Sequence, residues 1–513
     1  MATAAPADRA AGVGFRSERG PVLGALMLCT GLVALDSTII ATAVPSIVRD
    51  LGGFAQFPWL FSIYLLTQAV TVPLYGKLAD VVGRKPVMFF GIAVFLLGSV
   101  LCGVAWSMPA LIAFRALQGI GAGAVQPISM TMVGDMYTVE ERARVQGYIA
   151  SVWGVASVLG PTLGGVFSQY ASWRWIFFVN LPLGAIASFV LARRFHERLA
   201  ERRRHRIDFA GAGLLTVGCS LLILGLLEGG VGWAWRSTPS VAIFVTAVAL
   251  LVGFGFVEKY SKEPVLPLWV FGRRVLTGGT IAAFAVGALL IGLSSYVPTF
   301  AQGVLGTGAL VAGFALAALT IGWPIAATFS GRIYVRIGFR DTALIGSVIV
   351  VIGAVLCALL REHTSVWEVG GACFVVGIGL GLAASPTLVA AQSVVGWDRR
   401  GVVTGTNMFA RSMGSAVGAA VFGAIANATL AQRLAHPPAA VTHALGGKGI
   451  DVTSLVLGGQ VPAGDAKVAG FVRDALYAAS HHVFVSLAVL AVLIGAAVLL
   501  MPRRTTELTF DPS

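Results

Sequence analysis

Runs of about twenty predominantly apolar residues, separated by short polar stretches, recur along the whole chain, and that is the length a helix needs to cross a bilayer core. Fourteen such runs can be placed, at 21–45, 57–79, 86–106, 109–134, 145–168, 174–193, 208–228, 238–258, 275–301, 308–332, 341–361, 366–392, 402–431 and 479–502. They are too long and too continuously apolar for barrel strands, so helices must satisfy the backbone hydrogen bonds inside the bilayer. The expected fold class is all-α integral membrane. Residues 1–20 are polar and irregular, without the short apolar region of a removable signal peptide.

Superimposed on this pattern is an internal repeat. GKLADVVGRK at 76–85 aligns with GRIYVRIGFR at 331–340, pairing Gly76 with Gly331 and Gly83 with Gly338. A second match at nearly the same offset pairs Gly147, Gly160 and Gly165 with Gly405, Gly418 and Gly423. Two ordered matches predict two six-helix halves, 21–193 and 275–502, able to rock about a site between them. A basic linker (194–207), an inserted helix pair (208–258) and a second linker (259–274) lie between the halves. The flanking tails are 1–20 and 503–513, and a long loop, 432–478, precedes the last helix. The end of that loop, KVAGFVRDALYAA, has the pattern of an amphipathic helix at the membrane surface.

Composition agrees with this reading. Hydrophobic residues make up 57% of the 513 positions, charged residues 12%, and the mean hydropathy is +0.85, so water is not the solvent for most of the surface. The net charge of +13 does not indicate nucleic acid. Of the 36 Lys and Arg, 26 fall in segments on one side of the expected topology, 8 on the other and 2 within helices. The positive-inside rule then places both termini in the cytoplasm of a multi-pass protein of the cell inner membrane, with membrane lipids as its surroundings. The five cysteines all fall within expected helices without metal-like spacing and read as small core residues.

Two charges stand out because the bilayer should exclude them. Asp36, in VALDSTIIATAVP, lies mid-helix, where an acid costs about 2.5–3.5 kcal/mol on insertion scales. Either it is merely paired with a basic neighbour or facing a wet cavity, or it is a proton carrier with a titratable carboxyl. Arg115, in LIAFRALQGIGAGAVQP with Gln118 and Gln126, is the second such charge and a natural partner for that acid. Arg411, in NMFARSMGS beside Asn407, is a third candidate, for a structural role or for lining a substrate cavity. Asp36, Gln118, Gln126, Asn407 and Arg411 are the candidates for that cavity.

Glycines in GVASVLGPTLGGVF, with Gly160, Pro161, Gly164 and Gly165, let helices pack closely, and the proline bends its helix; a gating hinge needs the same features. Asp80 lies between helices 2 and 3 among Lys77, Arg84 and Lys85. A loop of this composition is ordinarily a solvated anchor; where its acid instead meets the positive end of a helix from the other half, it gains about 0.3–1 kcal/mol and latches that side shut. The repeat carries Val335 at the equivalent place. The sequence offers no phosphate-cradling Gly-rich loop with a Lys, no metal cluster and no nucleophile–base pair; no ATP site is needed for the expected transport, and an enzyme is not the expected reading.

Together these segments resemble the major facilitator superfamily, specifically its fourteen-helix drug:proton antiporter family. The resemblance rests on LDSTIIATAVP at 35–45, GKLADVVGRKP at 76–86, RALQGIGAG at 115–123, GPTLGG at 160–165, WRWIFFVNLPLG at 173–184 and YVPTFAQGVLG at 296–306. It implies a major facilitator fold and proton-coupled efflux of an amphipathic small molecule, with protons as the second partner, the proton motive force in place of any cofactor, and a monomer. It assigns proton coupling to Asp36 and Arg115, gate stabilisation to Asp80 with Lys77, Arg84 and Lys85, and the hinge to Gly160, Pro161, Gly164 and Gly165. The Arg usual after the loop acid is Val81 here, which puts the ion pair within that motif in doubt. Helix 10 lacks the acid that some exporters of dicationic compounds carry, which argues against divalent cations. An exporter of one endogenous metabolite, antibiotic, siderophore or lipid, and a non-transporting receptor, are the alternatives.

Overall fold

The computed structural model describes residues 14–503 apart from 16, 53–58, 198–207, 230–232, 262–263, 265, 435–440 and 442–465. Most of both end tails, of the basic linker and of the 432–478 loop lie outside the described residues, as do the side chains of Pro45 and Pro161. What is described is helical. The first half comprises α1 (Gly20–Leu51), α2 (Trp59–Val82), α3 (Arg84–Gly103), α4 (Met108–Met136), α5 (Val139–Tyr170), α6 (Trp175–Phe178) and α7 (Asn180–Arg194). Then come α8 (Phe209–Glu228), α9 (Thr238–Tyr260) and the short α10 (Trp269–Gly272). Last are α11 (Arg274–Gly303), α12 (Ala309–Ile337), α13 (Phe339–Ala358), α14 (Val366–Ser393), α15 (Arg400–Leu434) and α16 (Ala466–Leu499).

Each of the fourteen expected runs falls on helix, and among the described residues 12 helices are long and apolar enough to cross a membrane. The runs at 57–79 and 208–228 are not among the 12. Polar positions such as Thr67, Gln68, Thr71 and Lys77 dilute α2, and the apolar stretch of α8 is only Ala210–Leu226. The expected sixth span is broken into α6 and α7 at Val179, because Pro182 has no N–H for the Phe178 carbonyl. The amphipathic surface helix expected at 467–479 is instead the opening of α16. Its Phe471, Leu476 and Tyr477 pack on the core built from residues 270–501, and the Tyr477 hydroxyl donates to the Leu360 carbonyl.

Buried apolar residues separate into clusters. The largest draws on 270–501, and the next on α1–α5 and α7 with only Leu388 and Met408 from the later helices. The repeated glycines occupy matching places. Gly83 and Gly338 both take positive φ, 109° and 91°, which turns the chain sharply into α3 and α13. A Cβ on Gly76 would meet the Gly401 carbonyl of α15 at 2.7 Å, and one on Gly331 the Cβ of Ala143 on α5 at 2.5 Å. Thus α2 crosses α15 and α12 crosses α5 at glycine contacts, all at the end of the bundle that carries the α2–α3 turn. On the other side of the α2/α15 crossing sits α8, whose Leu215, Cys219 and Ile223 pack with Leu66 and Val70 of α2 and with Phe409 and Met413 of α15.

Candidate functional site

Asp36 is buried near the middle of α1 (1% exposed), and its carboxylate is held by groups from two other helices. Arg115 of α4 donates from Nη1 to Oδ2 at 2.5 Å. Gln118, one turn along α4, donates from Nε2 to Oδ1 at 2.8 Å, and Asn180 at the start of α7 donates from Nδ2 to the same oxygen at 3.1 Å. The hydroxyl of Ser99 on α3 accepts from both amides, at 2.7 and 3.3 Å. Arg115 also donates to the Leu60 carbonyl at 3.1 Å and to Gln118 Oε1 at 2.7 Å, and its guanidinium lies 4.1 Å from the centroid of the Tyr64 ring. Every polar neighbour of the carboxylate is an N–H donor, so the shell suits the ionised acid. The pairing that two isolated intramembrane charges suggest is present.

Immediately after Asp36, α1 touches α5. The Thr38 hydroxyl donates to the Ala156 carbonyl at 3.0 Å, and a Cβ on Gly160 would fall 2.1 Å from Thr38 Oγ1. Gly164 is buried, whereas a Cβ on Gly165 would meet nothing within 4 Å. The α5 residues around this contact, Val155, Val158 and Leu159, are exposed.

A second cluster closes the end that carries the α2–α3 turn. Asp80, at the end of α2, accepts from the backbone N–H groups of Gly401 (2.9 Å) and Val402 (2.8 Å) in the first turn of α15. It thus meets the positive end of a helix from the later part of the chain. Arg84 pairs with Asp80 at 2.7 Å and with Asp135 of α4 at 3.0 Å, donates to the Trp397 carbonyl at 2.6 Å and lies 3.8 Å from the centroid of that indole. Arg400 bonds Asp135 from the other side at 3.1 Å. The doubt raised by Val81 is therefore removed: the ion pair forms through Arg84, one turn on, without a base at position 81. Lys85 reaches back to the carbonyls of Ala192 and Phe195 at the end of α7, and Lys77 is half-buried on α2.

The repeat carries Val335 in place of the acid, and α5 opposite it begins with a capping box of its own, the Glu141 N–H donating to the Thr138 hydroxyl and the Thr138 N–H to the Glu141 carboxylate. The Tyr334 hydroxyl bonds the Val139 carbonyl there instead. At the far end, Asp50 takes hydrogen bonds from Arg174 (2.6 Å) and Trp173 (3.0 Å), which hold its carboxyl below the usual carboxylate range.

Residues 26–419 match the family described as Major Facilitator Superfamily. The chain belongs to the major facilitator superfamily. It is similar to Multidrug resistance protein 3 of Bacillus subtilis (strain 168), with 37% identity over 412 residues covering 80% of each chain. Multidrug transporter protein MdtP of the same organism is 36% identical over 415 residues, 81% of this chain and 76% of that one. Efflux pump dotC of Dothistroma septosporum (strain NZE10 / CBS 128990) is 30% identical over 402 residues, 77% and 69% of the two chains. The crystal structure of the human organic anion transporter MFSD10 (TETRAN) shares the fold at a TM-score of 0.63 and 15% identity, covering 94% of this chain and 99% of that one. This major facilitator protein is a multi-pass membrane transporter, not an enzyme.

Within the major facilitator fold the cavity candidates separate. Asp36 and Gln118 are buried inside the first helix group with partners on α3, α4 and α7. Gln126 is partly buried on α4, and no side chain among the described residues bonds it. Asn407 donates to the Gly279 carbonyl of α11 at 3.2 Å. Arg411 is part-buried and donates to Met408 Sδ at 3.2 Å. Sequence reasoning missed Ser99, Asn180, Asp135, Arg400 and Trp397. Only Asp135 and Arg400 carried a signal, as charges closing expected helices.

Proposed function

We propose that this transporter is a fourteen-helix drug:proton antiporter that exports amphipathic small molecules across the cytoplasmic membrane, with the α2–α3 turn and both termini on the cytoplasmic side. The observation that carries the reading is the carboxylate of Asp36, buried mid-span, held only by N–H donors and two residues from the α1–α5 contact at Thr38. A proton arriving on Asp36 removes the charge that fixes Arg115. The guanidinium then keeps the Leu60 carbonyl and Gln118, and α1 loses its strongest tie to α4. Because Thr38 bonds the backbone of α5, a shift of α1 is passed to the glycine-rich stretch ending at Gly165. The names of the bacterial relatives support the choice of substrate class, and the excess of Lys and Arg on one side supports the orientation.

In this reading the end that Asp80, Arg84, Asp135 and Arg400 hold together is the cytoplasmic one, and their contacts keep it closed in the described state. A membrane potential supplies about 2.3 kcal/mol per charge per 100 mV, enough for one entering proton to support a gradient of a neutral compound. The test is a panel of amphipathic compounds in everted vesicles with an imposed pH gradient. Uptake of several unrelated compounds, each dissipating the gradient, is expected; uptake that ignores the gradient, or the absence of any uptake, contradicts the proposal.

A further inference from the structure

Away from the span ends, the expected membrane segments hold three charged side chains: Asp36, Arg115 and Arg411. The first two neutralise each other at 2.5 Å. Arg411 has no such partner. Among the described residues its recorded side-chain hydrogen bond is from Nη2 to the Met408 sulfur, a weak acceptor, and no carboxylate pairs with it. The polar neighbours one turn away are committed elsewhere, Asn407 to the Gly279 carbonyl and Ser415 to the Gly287 carbonyl, both on α11.

Position on α15 says where this cation looks. Arg411 is 11 residues into the helix, about 16 Å from its start, which puts it beyond the level of lipid headgroups. Farther along α15, Val421, Ala424 and Asn427 are exposed, and at 100° per residue they lie at least 80° from Arg411 around the helix. Gly401 and Gly405, which meet α2, lie on one flank of Arg411, and Gly414 and Gly418, which meet α11, on the other. Arg411 therefore projects between α2 and α11, along the seam where the two helix groups face each other, and it is part-exposed there.

We infer that Arg411 is a substrate-binding residue that receives an anionic group, a carboxylate, sulfonate or phosphate, on the exported amphipath. The reasoning rests on the exporter reading above. A guanidinium presents a planar fork of donors matched to such oxyanions, and a cation held within the span without a counter-ion gains most from one that arrives with the cargo. With Asp36 and Arg115 paired, the seam carries a net positive charge, which disfavours organic cations. Export of an anion against entry of a proton moves charge in the same sense on both legs, so the membrane potential assists both.

The experiment uses the purified full chain in proteoliposomes and three probes with one naphthyl body, bearing a sulfonate, a carboxamide or a trimethylammonium group. Wild type is expected to show a KM for the sulfonate about tenfold or more below that for the carboxamide. Arg411→Gln should erase that difference and Arg411→Lys keep most of it. A preference for trimethylammonium in wild type, or Arg411→Gln raising KM equally for all three probes, overturns the inference. If none of the probes is pumped, the exporter reading fails, and equilibrium binding of the sulfonate to wild type and Arg411→Gln in detergent then decides the anion site by itself. Equal binding overturns it, and weaker binding by the variant upholds it.

Discussion

Asp36 and Arg115 are each a liability alone in a bilayer and a stable unit together, which is why both were visible in the sequence. A charge in an apolar run costs enough that its presence demands a partner. Ser99 and Asn180 complete the same shell, yet a serine or asparagine in a helix carries no comparable cost, and Asn180 lies 144 residues from the acid it serves. Contact over that separation is set by how α7 packs on α1. The pairing predicts strong coupling in a double-mutant cycle. Arg115→Gln leaves the buried carboxylate without its cation and is expected to cost about 3–5 kcal/mol, whereas adding Asp36→Asn should restore about 0.5–3 kcal/mol of that loss. Thermal unfolding in detergent measures both; additive losses would show that the two residues act separately.

Among the helices, function depends on which ends are capped from within and which are left for a partner. The start of α5 satisfies itself with Thr138 and Glu141, while the N–H groups of Gly401 and Val402 in α15 are taken by Asp80 from across the molecule. The sequence made that contact conceivable but did not say which helix supplies the positive end, because the loop motif reads the same whatever lies opposite. Arg84 was legible only as a gate base, and its role in bridging Asp80 to Asp135 required the fold. Asp80→Asn removes the charge from two backbone hydrogen bonds and an ion pair, a loss of about 1.5 kcal/mol or more, so the closed cytoplasmic state should fall about tenfold relative to the open one. Spin labels at the exposed Val82 and Ile337, on α2 and α12, report it. A longer distance population is expected in the variant, and an unchanged distribution would show that Asp80 does not hold the gate. The opening of α16 misled sequence reasoning for a related cause: an amphipathic pattern fits both a surface helix and a helix whose apolar face docks on a core, and Phe471 and Tyr477 dock.

Across the whole molecule, the glycine repeat was the most informative reading, since Gly76 with Gly331 and Gly83 with Gly338 recur as matching contacts and matching turns. The position of α8 was not legible, because its even apolar character gives no preferred face; in the structure it packs on α2 and α15 together. In the proposed rocking of one helix group against the other, α2 and α15 would move beneath α8, whereas among the described residues the core cluster at the α5/α12 crossing includes nothing from α8. The account as a whole turns on whether a proton on Asp36 is what such rocking exchanges for cargo. The most direct test is proton flux in proteoliposomes on addition of a transported compound, comparing wild type with Asp36→Asn. The account predicts compound-dependent proton movement in wild type and none in Asp36→Asn, with the variant still binding the compound. Proton movement of equal size in the variant would contradict it.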